Sequence, residues 1–170
     1  DKLYAAIGVS GSAALTALVA LPFAPQPSLA SVPYLVLSSA LQVVYTVLVA
    51  KTYQVSDMSQ TYPLMRGTAP LLVAVISVAF LGDTLSPLAW TGIGVICLAI
   101  LAMACNGRTR SGYGITLALI NACFIAGYTL VDGTGVRLSD TALGYTLWSF
   151  FMNGCCLLSW SMIYRRQEAS

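Results

Sequence analysis

Apolar residues run almost without interruption through six stretches of the chain, at residues 3–21, 32–50, 58–81, 88–105, 113–131 and 141–164. Each approaches the roughly 20 apolar residues that an α-helix needs to cross a bilayer. Membrane strands would alternate with period two over about ten residues. These runs are continuous and about twice that long, so helices are predicted. Polar and turn-forming residues mark the ends. Pro22 and Pro25 stop the first helix, and the turn Pro25-Gln26-Pro27 precedes the second. Asp57, with Gln60 three residues on, reads as a capping box for the third. Gly82 is a C′ stop for it, and Ser86-Pro87 is an N-cap followed by proline at the first helical position. Asn106-Gly107 ends the fourth helix, and Asp140 can cap the sixth. The short links make consecutive helices antiparallel neighbours. The expected fold is an all-α integral membrane protein, a single domain over residues 1–170 built as a bundle of six transmembrane helices.

Composition agrees with a membrane setting and narrows the chemistry. Of the 170 residues 58% are hydrophobic and 8% charged, against about 25% charged in a soluble domain. Eight Lys plus Arg against six Asp plus Glu leave +2, with no basic stripe of the kind nucleic-acid binding needs. There is no histidine, which removes Ser-His-Asp and Cys-His triads and the His-based zinc motifs. No catalytic residue, metal ligand or cofactor is assigned. Cys97, Cys105, Cys123, Cys155 and Cys156 lie in apolar stretches without a C-x-x-C pair and read as small buried apolar residues. The chain enters its first apolar run at once, without a basic n-region or cleavage site, which suggests a missing upstream segment.

The cations are unevenly placed. Lys2, Lys51, Arg108, Arg110, Arg165 and Arg166 fall on one side of the predicted spans, and Arg137 alone on the other. The positive-inside rule then puts both ends in the cytoplasm. Small residues suggest close helix packing: Gly8-x-x-x-Ser12 in the first helix and Gly92 with Gly94 in the fourth. Trp90, Tyr113 and Tyr164 sit at span ends as interface anchors.

Arg66 is the most informative position. It lies within the third span, eight residues from Met58, so about 12 Å along the axis. An Arg at the bilayer centre costs about 2.5–3.5 kcal/mol on insertion scales. It therefore either faces a water-filled cavity or snorkels to the cytoplasmic headgroups. Pro63 and Pro70 flank it and favour the cavity, because interrupted helices are tolerated where they line one. There a guanidinium would anchor a carboxylate or phosphate. Tyr62, four residues earlier, shares its face. Other polar residues recur on single helix faces: Ser38, Gln42 and Tyr45; Asn121 and Tyr128; Tyr145, Ser149 and Asn153 with Trp148 beside them. They read either as interhelical hydrogen bonds or as the walls of one polar path. Asp132 reads as a cap or loop carboxylate just after the fifth helix, with a coupling-proton site as the alternative.

The stretch from Tyr45 to Ala104 resembles the middle of an EamA-type half of the drug/metabolite transporter superfamily. The residues that carry this are Tyr45-Thr46-Val47-Leu48-Val49-Ala50-Lys51-Thr52-Tyr53, then Ser56-Asp57-Met58-Ser59-Gln60-Thr61-Tyr62-Pro63-Leu64-Met65-Arg66-Gly67 and Pro70. Phe80-Leu81-Gly82-Asp83-Thr84-Leu85-Ser86 is similar to the family's leucine-glycine-glutamate turn, with Asp83 in the glutamate position. Ala126-Gly127-Tyr128-Thr129-Leu130-Val131-Asp132-Gly133 looks like the opening helix of a second half. The resemblance implies an inverted five-plus-five repeat of ten helices. Residues 1–105 would be most of the first repeat and 113–170 the start of the second, so the chain would be a fragment, unless six helices function as a homo-oligomer. It also implies a multi-pass protein of a bacterial inner membrane that exports small metabolites or drugs by alternating access. On that expectation Arg66 and Tyr62 contact substrate, an anionic or zwitterionic small molecule, and Gln42, Tyr45, Asn121, Tyr128 and Trp148 line its path. The alternative is a non-transporting membrane module whose small-residue faces serve oligomerisation.

Overall fold

A computed structural model describes residues 2–82, 84–106 and 112–168. Among them are six α-helices and no strand: α1 (Lys2–Ala20), α2 (Val32–Val55), α3 (Met58–Phe80), α4 (Pro87–Asn106), α5 (Gly112–Leu138) and α6 (Ala142–Glu168), with short 3-10 turns at Leu21–Phe23 and Leu29–Ser31 between α1 and α2. Three helical stretches, Leu29–Val55, Thr61–Phe80 and Gly112–Leu138, are long and apolar enough to cross a membrane. The apolar stretches described in α1 and α4 are shorter, Gly11–Phe23 and Pro87–Ile100. Large apolar side chains stay on the outside, with Leu88 81% and Phe80 83% exposed.

The helix ends show which local signals act. The Asp57 carboxylate accepts the Ser59 amide at 2.9 Å and caps α3. Leu81 closes that helix, and Gly82 follows at φ +69°, the left-handed conformation a C′ glycine adopts without strain. Ser86 Oγ accepts the Ala89 amide at 3.2 Å, with Pro87 as the first residue of α4. Asp140 does not cap α6. It takes φ 60° in the link, and Thr141 is the cap, its Oγ1 accepting the Gly144 amide at 3.2 Å. Asp83, Gly107, Arg108 and Arg110, the surroundings of Gly8, and the side chains of Gln60, Cys105, Tyr164 and the cations Lys2, Arg165 and Arg166 lie outside what the structure describes.

Asp57 gives a pH dependence with a definite sign. The backbone amide of Ser59 holds its carboxyl below the usual range. Its contribution to α3 is therefore present above the ordinary carboxylate range and is lost as pH falls through the lowered value. Exchange of the Ser59 amide with deuterium should speed up across that window, beyond the intrinsic trend. In Asp57→Asn, which still caps, the extra step should vanish.

The residues group into two compact units. One comprises residues 1–43 and 131–170, the other residues 44–130, so α2 and α5 contribute residues to both. In the first unit α1 packs on α6. The link after α1 is fastened to the α5–α6 link, where the Ser28 amide donates to the Ser139 carbonyl at 3.1 Å. The second unit holds a core of Met65 and Ala69 from α3 against Ala118, Ala122 and Ile125 from α5. Small alanine side chains make up most of this contact. Tyr45, Val49, Tyr53, Leu64, Leu72 and Tyr128 surround this core.

The reading of Gly92 and Gly94 as close-packing positions changes. A side chain added at Gly11, Gly92 or Gly94 would meet open space; the close approaches occur elsewhere. Gly67 lies against Ile100 of α4, and a Cβ there would fall 2.7 Å from Ile100 Cδ1. Gly135 lies under the Tyr145 ring, and Gly144 faces the Pro25 carbonyl oxygen. Cys97, Cys123, Cys155 and Cys156 are free thiols, and none is fully buried; Cys123 and Cys155 are exposed. An apolar neighbourhood in sequence marks an interior position only in a soluble protein. On a membrane helix the outer face is apolar too.

Candidate functional site

The second unit contains a cleft of about 530 Å³ along α3. Its walls include Arg66, Pro70, Val73 and Ser77 of α3, Thr84 and Leu85 of the following link, and Ile125 and Thr129 of α5. The wall is mostly apolar, and among the described residues Arg66 is its one charged residue.

Helix geometry and two aromatic rings hold Arg66 at this wall. Tyr62 lies one turn before it on α3, and the guanidinium carbon sits 5.9 Å from the Tyr62 ring centre. It is also 6.0 Å from the ring centre of Tyr45 on α2. Tyr128 of α5 packs edge-on against Tyr45, with centroids 5.9 Å apart and planes at 61°. Cation–π contacts of this kind contribute about 0.5–2 kcal/mol each. Arg66 also hydrogen-bonds the Tyr62 side chain, and a guanidinium, with five N–H groups, keeps others available for a ligand. Among the described residues no carboxylate pairs with Arg66. α3 continues through both prolines. Pro70 has no amide to donate to the Arg66 carbonyl four residues back, so a backbone acceptor is freed beside the guanidinium.

The remaining expected site residues fall elsewhere. Asn121 is fully buried in the second unit and is absent from the cleft wall described above. Its Nδ2 donates to Thr52 Oγ1 at 3.1 Å, while its Oδ1 is buried without a partner. Thr52 Oγ1 itself donates to the Leu48 carbonyl at 2.8 Å and stays satisfied without Asn121. Asn121→Leu should therefore leave stability within about 1 kcal/mol or raise it, because an orphaned buried acceptor disappears. Thermal unfolding in detergent checks this, and a loss above about 2 kcal/mol contradicts it.

Gln42 and Trp148 belong to the first unit. Trp148 Nε1 donates to Gln26 Oε1 at 2.9 Å. Gln26 in turn donates to the Leu21 carbonyl at 3.0 Å, so this pair fastens the proline-rich link to α6. Gln42 is the hub of a polar cluster. Its Nε2 donates to Ser38 Oγ at 3.0 Å and reaches Asp132 Oδ2 at 3.5 Å. Its Oε1 accepts from Asn153 Nδ2 at 2.7 Å. Tyr145, 1% exposed, donates its hydroxyl to Asp132 Oδ1 at 3.0 Å.

Asp132 is therefore not a cap or loop carboxylate after the fifth helix. It lies inside α5, which runs on to Leu138. Gly133-x-Gly135 suggests a helix end, since glycine is the weakest helix former after proline. Here Gly135 is retained within the helix because Tyr145 occupies the space its side chain would fill. The signal for this cluster was present in the shared face of Tyr145, Ser149 and Asn153, but nothing in sequence paired that face with Asp132.

Compared with known proteins, the chain matches no family model, no curated protein and no solved structure.

Proposed function

We propose that this chain belongs to a multi-pass membrane transporter for small anionic or zwitterionic molecules, of the EamA-like kind its sequence resembles, with the Arg66 cleft as substrate site. The observation that carries this reading is the placement of Arg66. A guanidinium on an apolar helix, held against the rings of Tyr45 and Tyr62 at the wall of a 530 Å³ cleft, is costly in a membrane. A cation so placed is accounted for by a ligand of opposite charge. A carboxylate would take two guanidinium N–H groups in parallel, and the apolar wall of Val73, Ala74 and Ile125 would cover a small side chain. Substrate movement by alternating access and an inner-membrane location are part of the same proposal.

The test is uptake of a pooled set of labelled amino acids, small carboxylates, amines without a carboxylate and uncharged solutes into liposomes containing the chain, against protein-free liposomes. Protein-dependent uptake of a carboxylate-bearing member supports the proposal. Uptake limited to cationic or uncharged compounds defeats it. A second reading, a non-transporting oligomerisation module, is favoured by the open faces at Gly92 and Gly94 of α4. It predicts no uptake of any kind, together with disulfide crosslinking between copies through Gly94→Cys.

A further inference from the structure

We infer that Asp132, Gln42 and Asn153 form a proton-binding relay with two hydrogen-bond arrangements of opposite polarity, one for each protonation state of the Asp132 carboxyl. In the arrangement observed, Asp132 accepts from neutral donors only: the Tyr145 hydroxyl, the Ser38 hydroxyl and the Gln42 amide. Gln42 Oε1 is taken by Asn153 Nδ2, and Asn153 Oδ1 is left buried without a partner. An amide whose acceptor is orphaned while its donor is used has a second orientation available, since the two ends of an amide group are nearly the same size.

That second orientation is the one a protonated carboxyl requires. A proton from water bonds to Oδ2 of Asp132, which becomes a donor and can no longer receive the Gln42 Nε2. Rotation of the Gln42 amide turns its Oε1 toward the new O–H and toward the Ser38 hydroxyl, which then donates to it in place of accepting from Nε2, and turns its Nε2 toward Asn153. Rotation of the Asn153 amide then offers Oδ1, the atom that had no partner. Every amide end facing along the chain Asp132–Gln42–Asn153 is again matched, now with the opposite polarity. Loss of the proton to water reverses both rotations. One proton is thus read out as two amide reversals that link α5, α2 and α6.

The other titratable groups of this unit do not replace Asp132 in that role. Among its residues with described side chains, α1 carries none, α2 carries Tyr34, α6 carries Tyr145, Cys155 and Cys156, and α5 carries Arg137, with Asp140 in the link beyond it; the side chains of Lys2 and Tyr4 in α1 and of Tyr164, Arg165, Arg166 and Glu168 in α6 lie outside that description. Of the described groups, Tyr145 is the one that hydrogen-bonds the carboxylate, and it is a donor to Oδ1 in both arrangements.

The relay requires no transported substrate, so its test stands apart from that of the Arg66 cleft. The chain in lipid vesicles is titrated with acid while infrared difference spectra are recorded in light and heavy water. In the wild type, a protonated-carboxyl band should appear together with shifts in the side-chain primary-amide bands, sharing one midpoint. Asp132→Asn should remove both. Gln42→Leu should keep the carboxyl band, move its midpoint by about one pH unit, a tenfold change in proton affinity, and abolish the amide shift. The wild-type measurement alone is decisive if either variant fails to fold. A carboxyl band that titrates with no amide shift, one that survives Asp132→Asn, or no titrating band at all overturns the relay.

Discussion

Replacing Arg66 by Ala is expected to lower uptake of the anionic or zwitterionic substrate at least tenfold, with little loss of thermal stability. Hydrogen bonds to a charged group contribute about 1.5–3 kcal/mol, and each 1.4 kcal/mol is a factor of ten, so a range of ten- to over a hundredfold follows. Stability should hold because Arg66 is exposed at the cleft wall and the packing of the unit rests on Met65 and Ala69 beside it. Arg66→Lys should fall between wild type and Ala, since an ammonium keeps the charge and loses the planar fork. Uptake measured per folded protein, with melting curves of each variant, separates the two effects. Wild-type uptake by Arg66→Ala sinks the cleft reading. Low uptake accompanied by collapse of the fold would place Arg66 in the scaffold instead.

The second large effect concerns stability and falls on two glycines of the first unit. Gly144→Ala places a methyl group against the Pro25 carbonyl oxygen. That atom is backbone, in a link fastened through Ser28 to Ser139 and through Gln26 to Trp148, so it has little room to retreat. Gly135→Ala places a methyl 2.6 Å from Tyr145 Cε2, and that ring is tied by its hydroxyl to Asp132. Overpacking of this kind costs about 1–3 kcal/mol. Gly92→Ala and Gly94→Ala meet nothing within 4 Å and remove helix-disfavouring glycines, so they should be neutral or stabilising by up to about 1 kcal/mol. Unfolding in detergent distinguishes the pairs. The account is wrong if all four alanine variants melt alike.

Comparison of particular residues shows what a one-dimensional reading reaches. The ends of α3 and the start of α4 were readable because Asp57, Gly82 and Ser86-Pro87 act on their own neighbours within a turn. Arg66 with Tyr62 was readable for the same reason, as they are four apart on one helix. The tyrosines that complete the cage, Tyr45 and Tyr128, could be named as polar members of helix faces. Their distances to Arg66 and to each other depend on packing among α2, α3 and α5, which periodicity does not encode. Asp132 was misplaced because Gly133 and Gly135 carry a local signal for a helix end, and the Tyr145 contact that overrides it lies across two helices. The cysteines were misplaced for a different reason: burial was inferred from apolar neighbours, and that inference fails where the outside of a helix is itself apolar.

The most direct test of the account is a comparison of two ligands that differ by one charge. The affinity of the chain in lipid nanodiscs is measured for the carboxylate-bearing compound that it takes up and for the primary-amide analogue of that compound. A guanidinium acting as the anchor predicts at least tenfold tighter binding of the carboxylate, and equal affinities for the two once Arg66 is replaced by Ala. Equal affinities in the wild type, or a preference for the carboxylate that persists in Arg66→Ala, would contradict the assignment of Arg66 as the group that receives the substrate's negative charge.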